Sequence, residues 1–308
     1  MKSVDLDLLK EALPYILKFK NKIFVIKISG NVVSDTDFLS NLAEEIVLLH
    51  QVGFFPVIVH GGGKQLSEMA KKLGVEQTII DGRRVTNRKT LELAKMVFVG
   101  QINTDITAAL RSFGARTVGL SGFDGQIILA KKRGVKRIID ENSAKEKEID
   151  YGFVGDIVKV DTKLIKLMLD QGYIPVISSM GSDVEGHVYN INADTVAAEI
   201  TIRLSAEKLI MITQTNGILR DLNDHESQLT HLDVEEAKAL ISNKTVSAGM
   251  IPKIQSIVHL IDCGISSVHI IGTSVKNPLL QEIFTDEGAG TMITGNKKSR
   301  NVDEEKGQ

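Results

Sequence analysis

Short apolar runs alternate with amphipathic stretches along most of this 308-residue chain. β-Branched and other apolar residues concentrate at 22–28 (KIFVIKI), 55–59 (FPVIV), 116–120, 156–160, 174–178 (IPVIS), 208–213 (KLIMIT) and 267–272. Several of these runs are apolar at consecutive positions, as expected of strands buried on both faces. Between them, apolar residues recur at helical spacing over 35–51, 63–73, 88–112, 161–171, 194–205, 232–242 and 252–263. Strand–helix alternation of this length predicts an α/β fold, a three-layer α/β/α sandwich around a mainly parallel sheet.

Ahead of the first strand, residues 5–20 carry a broad apolar helical face: Leu8, Leu9, Ala12, Leu13, Tyr15, Ile16 and Phe19. Pro14 removes a backbone donor within it and predicts a kink. The face packs either on the body of the chain or on a neighbouring subunit. The Ser/Lys/Glu-rich stretch 140–150 reads as a loop or hairpin connection, and the polar tail from Asn296 to Gln308 as disordered. There is no internal repeat and no low-complexity block.

Composition narrows the function classes. Hydrophobic residues make up 43% and charged residues 25%, ordinary globular usage. A formal net charge of −2, with no basic stripe interleaved by aromatics and no Trp, argues against a nucleic-acid surface. Cys263 is the only cysteine, which precludes an intrachain disulfide and favours a reducing compartment. No apolar run approaches the roughly 18 residues of a membrane span. Charges thread the N-terminal helix, unlike a secretory signal, so a cytoplasmic location is expected. The seven histidines lack zinc-site spacing, and no metal ligand is assigned.

Candidate chemistry sits at two early strand ends. One reads Lys27-Ile-Ser29-Gly30-Asn31; the other reads His60-Gly61-Gly62-Gly63 and opens directly into a helix. In parallel α/β sheets ligands bind at the carboxyl ends of strands. Glycines admit a phosphate close to the backbone, helix N-terminal amides donate to its oxygens, and Lys27 would add a fixed positive charge. A tight ligand-free turn at Gly61–Gly63, and a solvated Lys27, are the plainer readings. Neither loop is a P-loop, a Rossmann fingerprint or a protein-kinase motif. The esterase reading of His-Gly-Gly-Gly fails, because Gly119-Leu-Ser121-Gly122-Phe123 breaks the nucleophile-elbow pattern at its last position.

Further segments follow in a fixed order. They are Ala12-Leu-Pro-Tyr-Ile16, Val25-Ile-Lys-Ile-Ser-Gly30, Val57-Ile-Val-His-Gly-Gly-Gly63, Asp81-Gly-Arg-Arg-Val-Thr86, Gly119-Leu-Ser-Gly122 with Asp124-Gly125, and Gly152-Phe-Val-Gly155. The second half adds Tyr189-Asn-Ile-Asn-Ala-Asp-Thr195, Gly249-Met-Ile-Pro-Lys253 and Phe284-Thr-Asp-Glu-Gly288. Their order resembles that of the amino acid kinase family, over about Leu9 to Ile293.

The resemblance implies a kinked helix at 1–21, an N-terminal lobe at 22–180 for an acyl amino acid, and a C-terminal lobe at 181–295 for ATP. It implies transfer of the γ-phosphoryl group to the side-chain carboxylate of N-acetyl-L-glutamate, giving the 5-phosphate, in arginine biosynthesis. Mg²⁺ would be held mainly by the nucleotide phosphates. Lys27 and Lys253 would flank the phosphoryl group and Asp194 would orient both. Gly30, Gly62 and Gly63 would offer backbone donors, and Arg84 and Asn190, beside Gly62 and Gly63, would grip the α-carboxylate. Gln214, Gly217, Ile218 and Lys253 would meet the nucleotide. The N-terminal helix is similar to that of arginine-inhibited members. It implies a homo-oligomer (a dimer, or a hexamer built as a trimer of dimers) and an L-arginine effector near Tyr15, Glu282, Gly288 and Gly290.

Plainer readings stand beside these. Asp194 falls in a first helical turn after Asn192, where an acid suits the dipole; Arg84 and Asn190 could be turn residues. Three positions depart from the family pattern: Ser29 and Ala248 stand where glycines are usual, and Gln214 where an Asp is usual. Ser29 and Gln214 leave room for a weakly active arginine-binding regulator. Because Arg84 with Asn190 would recognise any α-carboxylate, a kinase acting on another amino acid carboxylate stands as a further alternative.

Overall fold

Eight strands form the central sheet of the computed structural model, in the order His231–Asp233, Gly290–Thr294, Ser267–Gly272, Lys208–Thr213, Ile23–Ile28, Phe55–His60, Ile174–Ser178, Thr117–Ser121. The last six are parallel, and Gly290–Thr294 joins antiparallel to Ser267–Gly272. The structure describes residues 6–80, 83–139, 146–220, 224, 227–243, 246 and 251–295. The tail from Asn296, Ala248, and 140–145 within the Ser/Lys/Glu-rich stretch lie outside them.

Side-chain parity along the strands builds the layers. Phe24, Ile26, Ile28 and Ile58 point into one core, with Leu42, Ile46, Leu66 and Ile106 from the helices on that side. Val25, Val57, Val59 and Leu209 point into the other, with Ile165, Val196, Ile200, Ile254 and Ile257. Thr36–Gln51, Gly63–Lys72, Asn103–Ser112 and Pro278–Phe284 therefore cover one face. Lys163–Asp170, Ala193–Leu204, Val234–Ser242 and Ile251–Asp262 cover the other. This is the expected α/β/α sandwich.

Several local details differ from the sequence pattern. The helix expected over 88–112 contains a π-helical stretch, Lys95–Ile102, between Arg88–Ala94 and Asn103–Ser112. The helix expected from 232 starts at Val234, because Asp233 and Glu236 form a reciprocal capping box. The run 156–160 does pair as a strand, but in a separate four-stranded sheet with Ile128–Lys132, Met180–Ser182 and Val188–Asn190. Glu146–Ile149 pairs with Lys136–Ile139, the hairpin alternative for that stretch. The N-terminal helix Leu6–Phe19 runs through Pro14. Among the described residues no helix is long and apolar enough to cross a membrane.

Candidate active site

Lys27 occupies an interior position of the strand Ile23–Ile28 and shares the face of Val25, so its side chain meets the helix Ala193–Leu204. Asn192 caps that helix by accepting from the Thr195 amide at 3.0 Å, which places Asp194 in the first turn. Lys27 Nζ lies 2.7 Å from Asp194 Oδ1. That oxygen nevertheless takes no well-directed hydrogen bond among the described residues, so the contact is an ion pair with a lone pair still uncommitted. Lys253 enters from the first turn of Ile251–Asp262, a helix packed against Ala193–Leu204. Burial lowers its pKa, the Asp194 charge counters that, and the Lys27 charge reinforces it. Both lysines and the carboxylate thus converge.

The two glycine loops meet beside this triad. A Cβ on Gly30 would lie 3.2 Å from Gly62 Cα and 2.6 Å from Gln65 Oε1. One on Gly62 would lie 2.3 Å from Ile102 Cδ1 and 2.7 Å from Phe98 Cδ1, both in the π-helical stretch. A side chain at either position would force its neighbours to shift. Gln65 ties the loops, donating from Nε2 to Gly30 O at 2.6 Å and to Ser34 Oγ at 3.1 Å.

His60 braces the second loop from below. Its ring is fully buried; Nδ1 donates to Gly61 O at 3.1 Å and Nε2 accepts from Asn103 Nδ2 at 3.1 Å. Burial pulls its pKa down to about 4, so the imidazole is neutral near pH 7. Sequence reasoning passed over His60 and Gln65. Their only signal was adjacency to Gly61–Gly63.

Arg84 lies on the hairpin formed by Thr78–Ile80 and Arg83–Val85. Its Nη2 donates to Gly63 O at 2.9 Å and Ser67 Oγ at 2.8 Å, while Nη1 is buried without a partner among the described residues. One arm anchors to the glycine loop and the other is left for an acceptor. Asn190 sits at the end of Val188–Asn190, with Nδ2 donating to Thr86 Oγ1 at 3.2 Å. Arg84 and Asn190 are both tied to the 83–86 segment.

Gln214 follows the strand Lys208–Thr213, and its Oε1 accepts from Asn31 Nδ2 at 3.0 Å, joining that strand end to the first glycine loop. Gly217 adopts φ +69°, and a Cβ there would lie 2.4 Å from Thr291 Oγ1. Ile218 is buried, and its amide donates to Thr291 Oγ1 at 2.8 Å.

The segment expected to bind an effector is also assembled. Tyr15 Oη donates to the Asp286 carboxylate. Glu282 is buried, pairs with His269 and accepts from the Ala289 amide at 2.7 Å. Gly288 packs against the Glu282 carboxylate, and Gly290 against the Ile270 carbonyl. Elsewhere, on the exposed hairpin 183–187, Asp183, Glu185 and His187 offer ligand atoms within 4.8 Å of one another. Asp183 is already engaged there by the Glu185 and His187 amides and by Tyr189 Oη.

The profile of the amino acid kinase family matches residues 22–272. The chain is 46% identical over 288 residues to the acetylglutamate kinase of Methanocaldococcus jannaschii, covering 94% of this chain and 95% of that one. It is 44% identical over 294 residues to that of Methanothermobacter thermautotrophicus, covering 96% and 100%. Among solved structures it is similar to N-acetylglutamate synthase from Neisseria gonorrhoeae complexed with coenzyme A and N-acetyl-glutamate, with a TM-score of 0.81 at 28% identity. That match covers 96% of this chain but 64% of the synthase, so the chain spans less than two thirds of it.

Proposed function

The chain belongs to the amino acid kinase family, and we propose that it phosphorylates the side-chain carboxylate of N-acetyl-L-glutamate with ATP, a step of arginine biosynthesis. The observation that carries the chemistry is the convergence of Lys27, Lys253 and Asp194 beside two interlocked glycine loops. The archaeal acetylglutamate kinases, alike over nearly their full length, support the acceptor.

Phosphoryl transfer depends on positioning and charge neutralisation more than on covalent help. The acceptor carboxylate is ionised at neutral pH and needs no general base. One of its oxygens attacks the γ-phosphorus, and the bond to the β–γ bridging oxygen breaks, with its electrons leaving on ADP. Lys27 and Lys253 offset the repulsion between anionic acceptor and polyanionic nucleotide, and Asp194 holds the two ammonium groups apart at the right spacing. The Gly30, Gly62 and Gly63 amides aim at phosphoryl oxygens. Arg84 Nη1 and Asn190 hold the acceptor's α-carboxylate, the Arg through its free arm.

The donor set fits a nucleotide whose own oxygens carry Mg²⁺: at the triad the one carboxylate, Asp194, is paired with Lys27, and Gln214 is an uncharged amide. Mg²⁺ supplies further neutralisation of the phosphates. Residues 22–180 then form the acceptor lobe and 181–295 the nucleotide lobe, with Gly217 shaping the latter. ADP release with N-acetyl-L-glutamate, glutamate and N-acetylaminoadipate, with Lys27→Ala as control, tests the reading. Turnover on N-acetyl-L-glutamate alone, lost in the control, is expected; no turnover on any acid would overturn it and favour a regulatory role.

L-Arginine as effector is a second proposal, favoured by the Tyr15–Asp286 contact that joins the N-terminal helix to the 282–290 segment. In the synthase of Neisseria gonorrhoeae a complex with L-arginine has been solved. Inhibition by millimolar arginine, with a hexamer on sizing, is expected; unchanged activity with millimolar arginine, or a dimer that persists on sizing, would reject it.

A further inference from the structure

Ser29 stands one residue beyond the strand Ile23–Ile28, in an extended conformation (φ −77°, ψ 153°). The pleat therefore continues through it, and its side chain falls on the face of Val25 and Lys27, toward the Asp194 end of the Ala193–Leu204 helix. Its backbone is fully occupied: the amide donates to Ile212 O at 3.2 Å and the carbonyl accepts from the Val32 amide at 3.1 Å. Its hydroxyl is not. A serine at this position normally caps the next turn through its side chain, yet here it makes no such bond. Oγ is buried and has no partner among the described residues.

A buried hydroxyl without a partner costs stability, and such exceptions ask for a function. Arg84 Nη1 shares this condition beside the second glycine loop. Both atoms are donors shut from water, so an anionic ligand whose entry parts the loops would satisfy them together.

We propose that the Ser29 hydroxyl donates a hydrogen bond to a non-bridging oxygen of the transferring γ-phosphoryl group, adding a side-chain donor to the amides of the glycine loops. This rests on the kinase reading of the site. The proton stays on Ser29 throughout; the bond strengthens as charge builds on the phosphoryl oxygens. Crowding of the phosphate by the same side chain makes the opposite prediction, which renders the two separable.

Because Oγ bonds nothing among the described residues, Ser29→Ala and Ser29→Gly should both fold, with the alanine variant melting at or above the wild-type temperature. Each is measured for kcat, for KM of both substrates, and by titration with ADP and with the non-hydrolysable analogue AMPPNP. The expected result is a kcat lowered about tenfold or more in both variants, with KM for N-acetyl-L-glutamate unchanged. AMPPNP binding should weaken about tenfold while ADP binding, which lacks the γ-phosphoryl group, stays the same. Wild-type kcat in the alanine variant, a glycine variant faster than wild type, or equal weakening of both nucleotides would overturn the proposal. Wild-type protein that distinguishes AMPPNP from ADP through Ser29 but turns over no acid would sink the acceptor assignment alone. Failure of the wild type to bind either nucleotide would sink both.

Discussion

The ammonium of Lys27 approaches a carboxylate oxygen of Asp194 to 2.7 Å, with the lysine side chain 9% and the aspartate side chain 25% exposed. A strand residue and a first-turn helix residue from opposite halves of the chain thereby share one charge-rich point. Lys27→Met leaves Asp194 facing Lys253 alone and deletes one of the two lysine charges beside the phosphoryl group. Steady-state assays should show kcat down by about 10²-fold or more, with the far-UV spectrum preserved. Activity within twofold of wild type would refute the role.

Neighbouring glycines should respond differently to the same methyl group. Gly62→Ala drives Cβ to 2.3 Å from Ile102 Cδ1, whereas at Gly63 the nearest atom is Arg84 Nη2 at 4.0 Å, an ordinary contact. Denaturant unfolding should register a loss of about 1–3 kcal/mol for Gly62→Ala and little change for Gly63→Ala. Equal effects would mean that the π-helical stretch does not press on Gly62.

Arg84→Lys replaces a planar fork by a point charge. The lysine can keep one of the two anchors, to Gly63 O or Ser67 Oγ, and loses the free Nη1. KM for the acylated acceptor should rise about tenfold or more, the size of a lost charge-assisted bond, and KM for ATP should not move. A rise confined to ATP would relocate Arg84 to the nucleotide.

Glu45 offers a pH test far from the chemistry. It lies 3% exposed in the helix Thr36–Gln51, and its Oε2 accepts from the Leu280 amide at 2.9 Å, capping the helix Pro278–Phe284. Burial lifts its pKa to about 7, against the partial relief of the Leu280 and Leu279 amides. The folded state then binds the proton more tightly than the unfolded one, so this group contributes less stability as pH rises from about 4.5 through 7. The full penalty is on the order of 3 kcal/mol. Glu45→Gln keeps an acceptor oxygen for Leu280 without the charge. Thermal or denaturant unfolding should show it more stable than wild type at pH 8 and no more stable at pH 4; a pH-independent difference would contradict the assignment.

Much of this architecture is legible in one dimension. Buried parallel strands such as Ile23–Ile28 and Ile174–Ser178 are apolar throughout, and strand parity alone puts Lys27 on the opposite face from Ile28. Glycines at two strand ends announce where an anion could approach. The three-residue strands His231–Asp233 and Arg83–Val85 are too short to carry a period, and they exist because partners from distant segments satisfy their backbone groups.

Local propensity and periodicity thus determined the layers, most of the buried parallel strands with the helices between them, and which strand ends hold the glycines. What only the tertiary structure decided is partnership: Asp194 against Lys27, Phe98 and Ile102 against Gly62, Gln65 between two loops, and a Ser29 hydroxyl with no partner among the described residues. Preferences of a residue for helix or strand act over a few neighbours, whereas these contacts join segments brought together by burial of two whole cores, and no short window of sequence contains that information.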